Sequence, residues 1–360
     1  MNLIANRLKS ATPPARRAGL IAVGELLVML TILAGLLYLC TQFVVSVTDQ
    51  PTSPKDSAKA NSDRRVYRMS LDAAGDRLWV YRPRDGVVRL NLVTNEVEQS
   101  VPLPGVDLTA VAHSRDGLTT ILCGIDGTIA LYRQDEEVLI SKVLLRKDSI
   151  VDAAVSDDGT VSACATTTGR IHGWKRIGGD FEEFSYNLFE PGSVMRIGLN
   201  RSGQTLCTVR SEGTLAFFDC ESGTPTMQPI RIGQYCNNFA WSHDDHMIAV
   251  INPAGTLQAY EVATGKLICE SSFKISQTSH PTCIAISPDR TRVAFATNTT
   301  SKIQLWDLVN GESAGELKGH LGIIRALQFS PLSDRLYSGS YDGTIREWSL
   351  AATAELRIVD

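Results

Sequence analysis

The feature that most constrains this chain is a repeat. A short turn signature, glycine followed by strand formers, begins at Gly86 (GVVRL), Gly127 (GTIALY), Gly169 (GRIHGW), Gly213 (GTLAFF) and Gly255 (GTLQAY). It returns at Ser301 (SKIQLW) and Gly343 (GTIREW), at intervals of 41, 42, 44, 42, 46 and 42 residues. A period near forty with strand-like content is the signature of propeller blades, in which each unit buries its apolar faces only against its neighbours.

A second marker keeps the same phase. Thirteen or fourteen residues before each signature stands a polar turn: Asp72–Gly75, Ser114–Gly117, Ser156–Gly159, Asn200–Gly203, Ser242–Asp245, Ser287–Arg290 and Ser330–Asp334. Apolar runs precede and follow each turn, and a further turn at Thr94-Asn95, Ser222-Gly223, Thr264-Gly265 and Asn310-Gly311 leaves room for a fourth strand. Each unit therefore reads as four antiparallel strands. Residues 66–360 number 295, which divided by seven is about 42, so seven units use this stretch without remainder.

These residues resemble the WD-repeat β-propeller family, best in the last two units. Leu305-Trp306-Asp307 supplies the Trp-Asp pair, Gly319-His320 the Gly-His, and Asp342-Gly343 with Trp348 the final turn and strand. The resemblance implies a hydrogen-bonded structural tetrad of His320, Ser338, Asp342 and Trp348. It also implies that partners dock on the face where the innermost strands begin. Units one to five lack Gly-His and carry no Trp-Asp.

The N-terminus is different material. After Arg7, Lys9, Arg16 and Arg17, the 23 residues between Glu25 and Asp49 carry no charge. As a helix rising ~1.5 Å per residue they exceed a hydrocarbon thickness of ~30 Å. The stretch is longer than a cleaved leader's apolar core and lacks a small-residue cleavage site, so it reads as a signal anchor. The expected division is a basic segment 1–18, a transmembrane helix 19–48 in the lipid bilayer, a flexible tether 49–65 and a propeller 66–360. The fold class is all-β, a seven-bladed propeller preceded by a single transmembrane helix.

Two signals bear on orientation. Four basic residues precede the span against Lys55 and Lys59 after it, which keeps the N-terminus cytoplasmic and sends the propeller to the extracytoplasmic side. The seven propeller cysteines, Cys123, Cys164, Cys207, Cys220, Cys236, Cys269 and Cys283, have no framework spacing and suit a reducing cytoplasmic side. The loop charges prevail in this reading, because they act during insertion.

Chemistry needs a constellation, and none stands out. There is no G-x-S-x-G, no H-E-x-x-H and no paired C-x-x-C. His243-Asp-Asp-His246 falls in a first turn where polar residues are the default; Ser271–Lys274 matches S-x-x-K without its companion motifs. His320 belongs to the expected tetrad, His113 to a strand end and His172 to an outward position on a third strand. No cofactor or metal is expected. With 35 basic against 39 acidic residues and no dense basic run, nucleic acid is not an expected partner.

The expected function is a membrane-tethered, non-enzymatic scaffold that binds other proteins. Candidate docking residues, counted back from the first turns, are Tyr67, Tyr235, Asn237, His280 and Arg325, with Arg65, Asp107, Thr109, Thr282 and Ile323 beside them. Tyr and Arg are the side chains that most often anchor interfaces. The alternative is an extracytoplasmic propeller enzyme of lactonase or quinoprotein type, whose site would gather carboxylates, Asn or His at the channel mouth. Residues Glu355–Val359 are expected to complete the last blade, with the contact between blades one and seven held by side-chain packing.

Overall fold

The computed structural model describes residues 64–359, apart from 84, 102–106, 134–137, 144–147, 179, 189–193, 234–235, 237 and 274–278; for 138–143 it describes the backbone only. The expected transmembrane segment 19–48, the basic segment and nearly all of the tether lie outside the described residues. The compact unit holding the repeats runs from Ala60 to Asp360.

Seven four-stranded antiparallel sheets follow one another along the chain, each with its strands side by side in sequence order. They are the seven expected blades. The first strands are Arg68–Leu71, Leu108–His113, Ile150–Val155, Val194–Leu199, Phe239–Trp241, Pro281–Ile286 and Ile324–Phe329. Those of neighbouring blades pack on one another, including blade seven on blade one, so they are innermost and line a central channel.

A blade buried on both faces needs apolar residues at consecutive positions, not alternate ones. The second strands Thr119–Gly124 and Val161–Thr166 are accordingly buried at every residue. The outer strand Asp180–Asn187 instead alternates between exposed and half-buried. The hydrophobic core is correspondingly divided among the seams. Trp79, Tyr81, Val87 and Val101 of blade one meet Val111, Leu122 and Ala130 of blade two. At the last seam Leu78, Val80 and Leu90 meet Tyr337, Ile345 and Val359.

The first turn has one backbone shape in every blade. Its φ is positive at Gly75, Gly117, Gly159 and Gly203, and equally at Asp245, Arg290 and Ser333, which adopt φ of 60–61°. A shared side-chain clamp accompanies that shape. Ser156 Oγ accepts the Val161 N–H at 3.0 Å and donates to Asp158 at 2.7 Å. Ser114, Ser242, Ser287 and Ser330 do the same in their own turns, while Asn200 and Asp72 accept the equivalent N–H. Such local bonds offset the strain of left-handed non-glycine residues.

Blade seven is completed by Ala354–Ile358, paired antiparallel with Ile345–Ser349. Its seam with blade one is not packing alone: the Val66 N–H donates to the Ser340 carbonyl at 3.0 Å. Gly339 permits this approach, because a Cβ there would lie 2.4 Å from Val66 Cγ1. His172 also departs from expectation. It is 4% exposed, not outward, because blade three's third strand is covered on both faces.

Candidate functional site

Antiparallel order brings the starts of the first strands and the turns between second and third strands to one end of the channel, here called the upper face. The first-to-second turns form the lower face.

The strongest local order on the upper face is in blade seven. Trp348 Nε1 donates to Ser338 Oγ at 2.7 Å, Ser338 Oγ lies 2.7 Å from His320 Nε2, and His320 Nδ1 lies 2.8 Å from Asp342 Oδ2. The chain is consistent with one direction: indole to hydroxyl, hydroxyl to imidazole, imidazole to carboxylate. Asp342 also accepts the N–H groups of Leu321 at 2.8 Å and Thr344 at 2.9 Å. Burial alone would raise the Asp342 pKa, but the His320, Leu321 and Thr344 donors outweigh it and hold the carboxyl well below its usual range.

This network holds up a small aromatic and cationic patch. Tyr341, beside Asp342, lies 4.9 Å from the Tyr67 ring, and the Arg65 and Arg325 guanidiniums stand over it at 5.2 and 5.6 Å. Leu321, pinned through its N–H, is 88% exposed. Tyr67 and Arg325, singled out from the sequence, are thus brought together, and Tyr341 is the member that joins them. Tyr341 and Leu321 were missed because the count back from first turns passes over the loops on either side of the tetrad. His280 lies apart from the patch, in blade six, where its N–H donates to Asn298 Oδ1 at 2.6 Å. Thr282 is buried and its Oγ1 donates to the Ile324 carbonyl at 2.6 Å, while Thr109 Oγ1 donates to Cys123 O at 3.2 Å. Tyr235 and Asn237 lie outside the described residues.

Below the patch the channel is nearly free of fixed acidic charge. Apart from His113, the seven innermost strands carry four ionisable side chains with formal charge: Arg68, Asp152, Arg196 and Arg325. Arg68 Nη2 lies 3.3 Å from Asp152 Oδ1, and Asp152 Oδ2 accepts the Ile197 N–H at 3.1 Å.

The lower face opens into a cavity of about 530 Å³ lined by Arg115, Asp116, Asp157, Asp158, Arg201, His243 and Asp245 among others. Most of these carboxylates already serve the turns. Asp158 accepts Ser156 Oγ, Asp116 accepts Ser114 Oγ, and Asp245 accepts the Arg201 N–H at 2.9 Å. His243 Nδ1 meets Arg115 Nη1; burial, then Arg115 and Arg201, lower its pKa. Among the described residues no group of three or more His, Cys, Asp or Glu is placed to hold a metal ion.

Comparison with known proteins agrees with the geometry. The model of the WD domain, G-beta repeat, matches residues 311–349, which run from the end of blade six through the tetrad. The chain is 23% identical over 286 residues to Periodic tryptophan protein 2 of Arabidopsis thaliana, covering 76% of this chain and 29% of that protein. It is 23% identical over 283 residues to the serine-threonine kinase receptor-associated protein of Mus musculus, covering 68% of this chain and 79% of that one. Protein groucho of Drosophila melanogaster is 34% identical over 79 residues, 21% of this chain and 11% of its own length. The chain thus spans well under half of the Arabidopsis relative and most of the mouse one.

Proposed function

We propose that the chain, similar over residues 311–349 to the WD domain, is a WD-repeat β-propeller serving as a non-enzymatic platform that docks a partner protein on its upper face. The observation that carries this reading is the patch of Tyr341, Tyr67, Arg65, Arg325 and Leu321, held in place by the His320–Asp342 network. Preorganised aromatic and arginine side chains contribute disproportionately to interfaces because little rotamer freedom is lost on binding. Leu321 adds an apolar anchor that is 88% exposed in the free chain. The use of the lower-face carboxylates as turn acceptors argues against a lactonase-like or quinoprotein-like site there.

The platform is tethered to the membrane by a helix over residues 19–48, with the propeller extracytoplasmic. The 23-residue uncharged run and the basic excess before it support this. Crosslinking and capture from intact membranes tests the docking reading. The wild-type chain should retain a partner that Tyr341→Ala and Leu321→Asp lose, and equal capture by all three would sink it. Extraction of the chain by alkaline carbonate would remove the tether, and digestion of the propeller by protease added to the cytoplasmic side would reverse the orientation.

A further inference from the structure

The channel carries a charge arrangement that reaches beyond the docking face and shares only Arg325 with it. Arg68, Arg196 and Arg325 project from the innermost strands of blades one, four and seven, and a single carboxylate, Asp152 of blade three, stands among them. Three positive charges less one negative leave +2, with the thiols nearby neutral: burial pushes Cys283 up to about 12 and Cys236 up to about 11. Arg196 and Arg325 both act against the Arg68 cation and Asp152 acts for it, while the Arg68 side chain keeps 40% of its surface open to the channel.

Their hydrogen-bonding capacity is also left over. Arg196 donates to the Met195 carbonyl at 3.3 Å, but its Nε, like that of Arg325, is buried without an acceptor. Beside Arg68 and Arg325 lies a cavity of about 110 Å³, lined by the polar Asn238 and Thr282 and otherwise by apolar side chains such as Met69, Phe239 and Leu327; Arg196 stands outside that lining. At ~30 Å³ per water that is room for about four waters, or for one small tetrahedral ion. Like charges gathered in one channel repel unless an anion pairs them, and guanidinium forks match oxyanions geometrically.

We propose that the central channel is a binding site for a small divalent oxyanion of phosphate or sulfate size, held by Arg68 and Arg325, with the Arg196 charge adding to the field that attracts it. Asp152 orients Arg68 and lowers the site's charge to the value a dianion neutralises. The site lies beneath the docking face, and its occupation does not depend on a protein partner.

Calorimetric titration of the full-length chain with inorganic phosphate and with sulfate tests this, against chloride and acetate at matched ionic strength. The dianions should bind saturably and raise the unfolding midpoint, and the monovalent ions should not. Arg68→Gln and Arg196→Gln should each weaken binding roughly tenfold or more, Arg68→Lys should recover part of it, and Asp152→Asn should tighten it. Glycerol phosphate, run beside phosphate, separates a phosphoryl group on a larger molecule from the free anion, and either one bound with the same loss in Arg196→Gln supports the site. Midpoints of the variants without ligand identify any that fail to fold. Absence of saturable binding by every dianion, or binding that survives in the folded Arg68→Gln/Arg196→Gln double variant, would overturn the proposal. Partner capture through Tyr341 and Leu321 reads the docking face separately.

Discussion

Blades six and seven place a tryptophan at the same point, five residues after the turn residue, and use it differently. In blade seven Trp348 is 1% exposed and donates to Ser338. In blade six the strand register puts Phe295 where Ser338 stands in blade seven, and the Trp306 Nε1 is buried without an acceptor. Trp306 packs instead edge-on against Phe273, ring centroids 4.7 Å apart. The shape of a blade therefore needs the ring and not the hydrogen bond. What the hydrogen bonds add in blade seven is a fixed upper loop, since Asp342 ties the Leu321 backbone to the turn that carries Tyr341.

That contrast can be broken in graded steps. The largest effect is expected from removing residues 353–360, which strips the outer strand from blade seven and takes Val359 out of the last seam. Thermal unfolding should move down sharply or lose its cooperativity, while cutting residues 49–62 should leave the midpoint in place; the reverse pattern would mean that the N-terminal segment closes the ring. Next, Trp348→Ala should cost about 3 to 5 kcal/mol, from a large cavity and a stranded hydroxyl. Trp306→Ala should cost clearly less in the same denaturant titration, because that ring is only half-buried and gives up no hydrogen bond. Equal losses would erase the distinction between the two blades.

Asp342→Ala should cost roughly 1 to 3 kcal/mol and also loosen the loop at Leu321, visible as faster amide exchange there. Its pH dependence has a definite sign. The folded-state pKa is depressed, so the stabilisation is complete above the unfolded carboxylate value of about 4 and fades as pH falls toward the folded value. The gap in unfolding midpoint between wild type and Asp342→Asn should therefore narrow below about pH 4, and a constant gap would show that the charge is not the cause. The smallest effect sharpens the comparison: Trp348→Phe gives up the bond to Ser338 while Trp306→Phe gives up none, so the first should cost about 0.5 to 1.5 kcal/mol more in the same titration, and equal costs would count against the contrast.

Much of this was readable in the chain, for physical reasons. Gly86, Gly127, Gly169, Gly213, Gly255 and Gly343 all take positive φ, so the signature that set the period marks a backbone requirement. The first turn was readable even where glycine is missing, because the Ser or Asn that clamps it recurs. His320, Ser338, Asp342 and Trp348 came from motif resemblance, and the structure places them in one hydrogen-bonded chain. The channel charges were not found. Arg68, Asp152 and Arg196 sit 84 and 44 residues apart in sequence, and no local pattern says that inner strands of different blades face a common axis. The burial of His172 was missed for a related reason: alternation predicts an outward face only for a sheet with one side in water, and a blade has none.

The lower face has a mechanical consequence. Its first turns are linked hand to hand around the channel. The Ala73, Asp116 and Asp157 N–H groups donate to the carbonyls of Arg115, Asp157 and Arg201 at 3.0–3.1 Å. Arg201 N–H then reaches the Asp245 carboxylate, Arg290 meets Asp244 at 3.1 Å, and Asp289 N–H donates to Ser333 Oγ. At the last step Pro331 only packs on Gly75, where an added Cβ would lie 2.6 Å from Pro331 Cδ. The turns thus form a hoop of uneven stiffness, backbone-tied from blade one to four and increasingly dependent on side chains toward blade seven. The step held by packing alone is where such a hoop is expected to open first. Raised salt, which screens the Arg290–Asp244 link but leaves the amide links alone, should move that opening from the seventh seam toward the fifth blade.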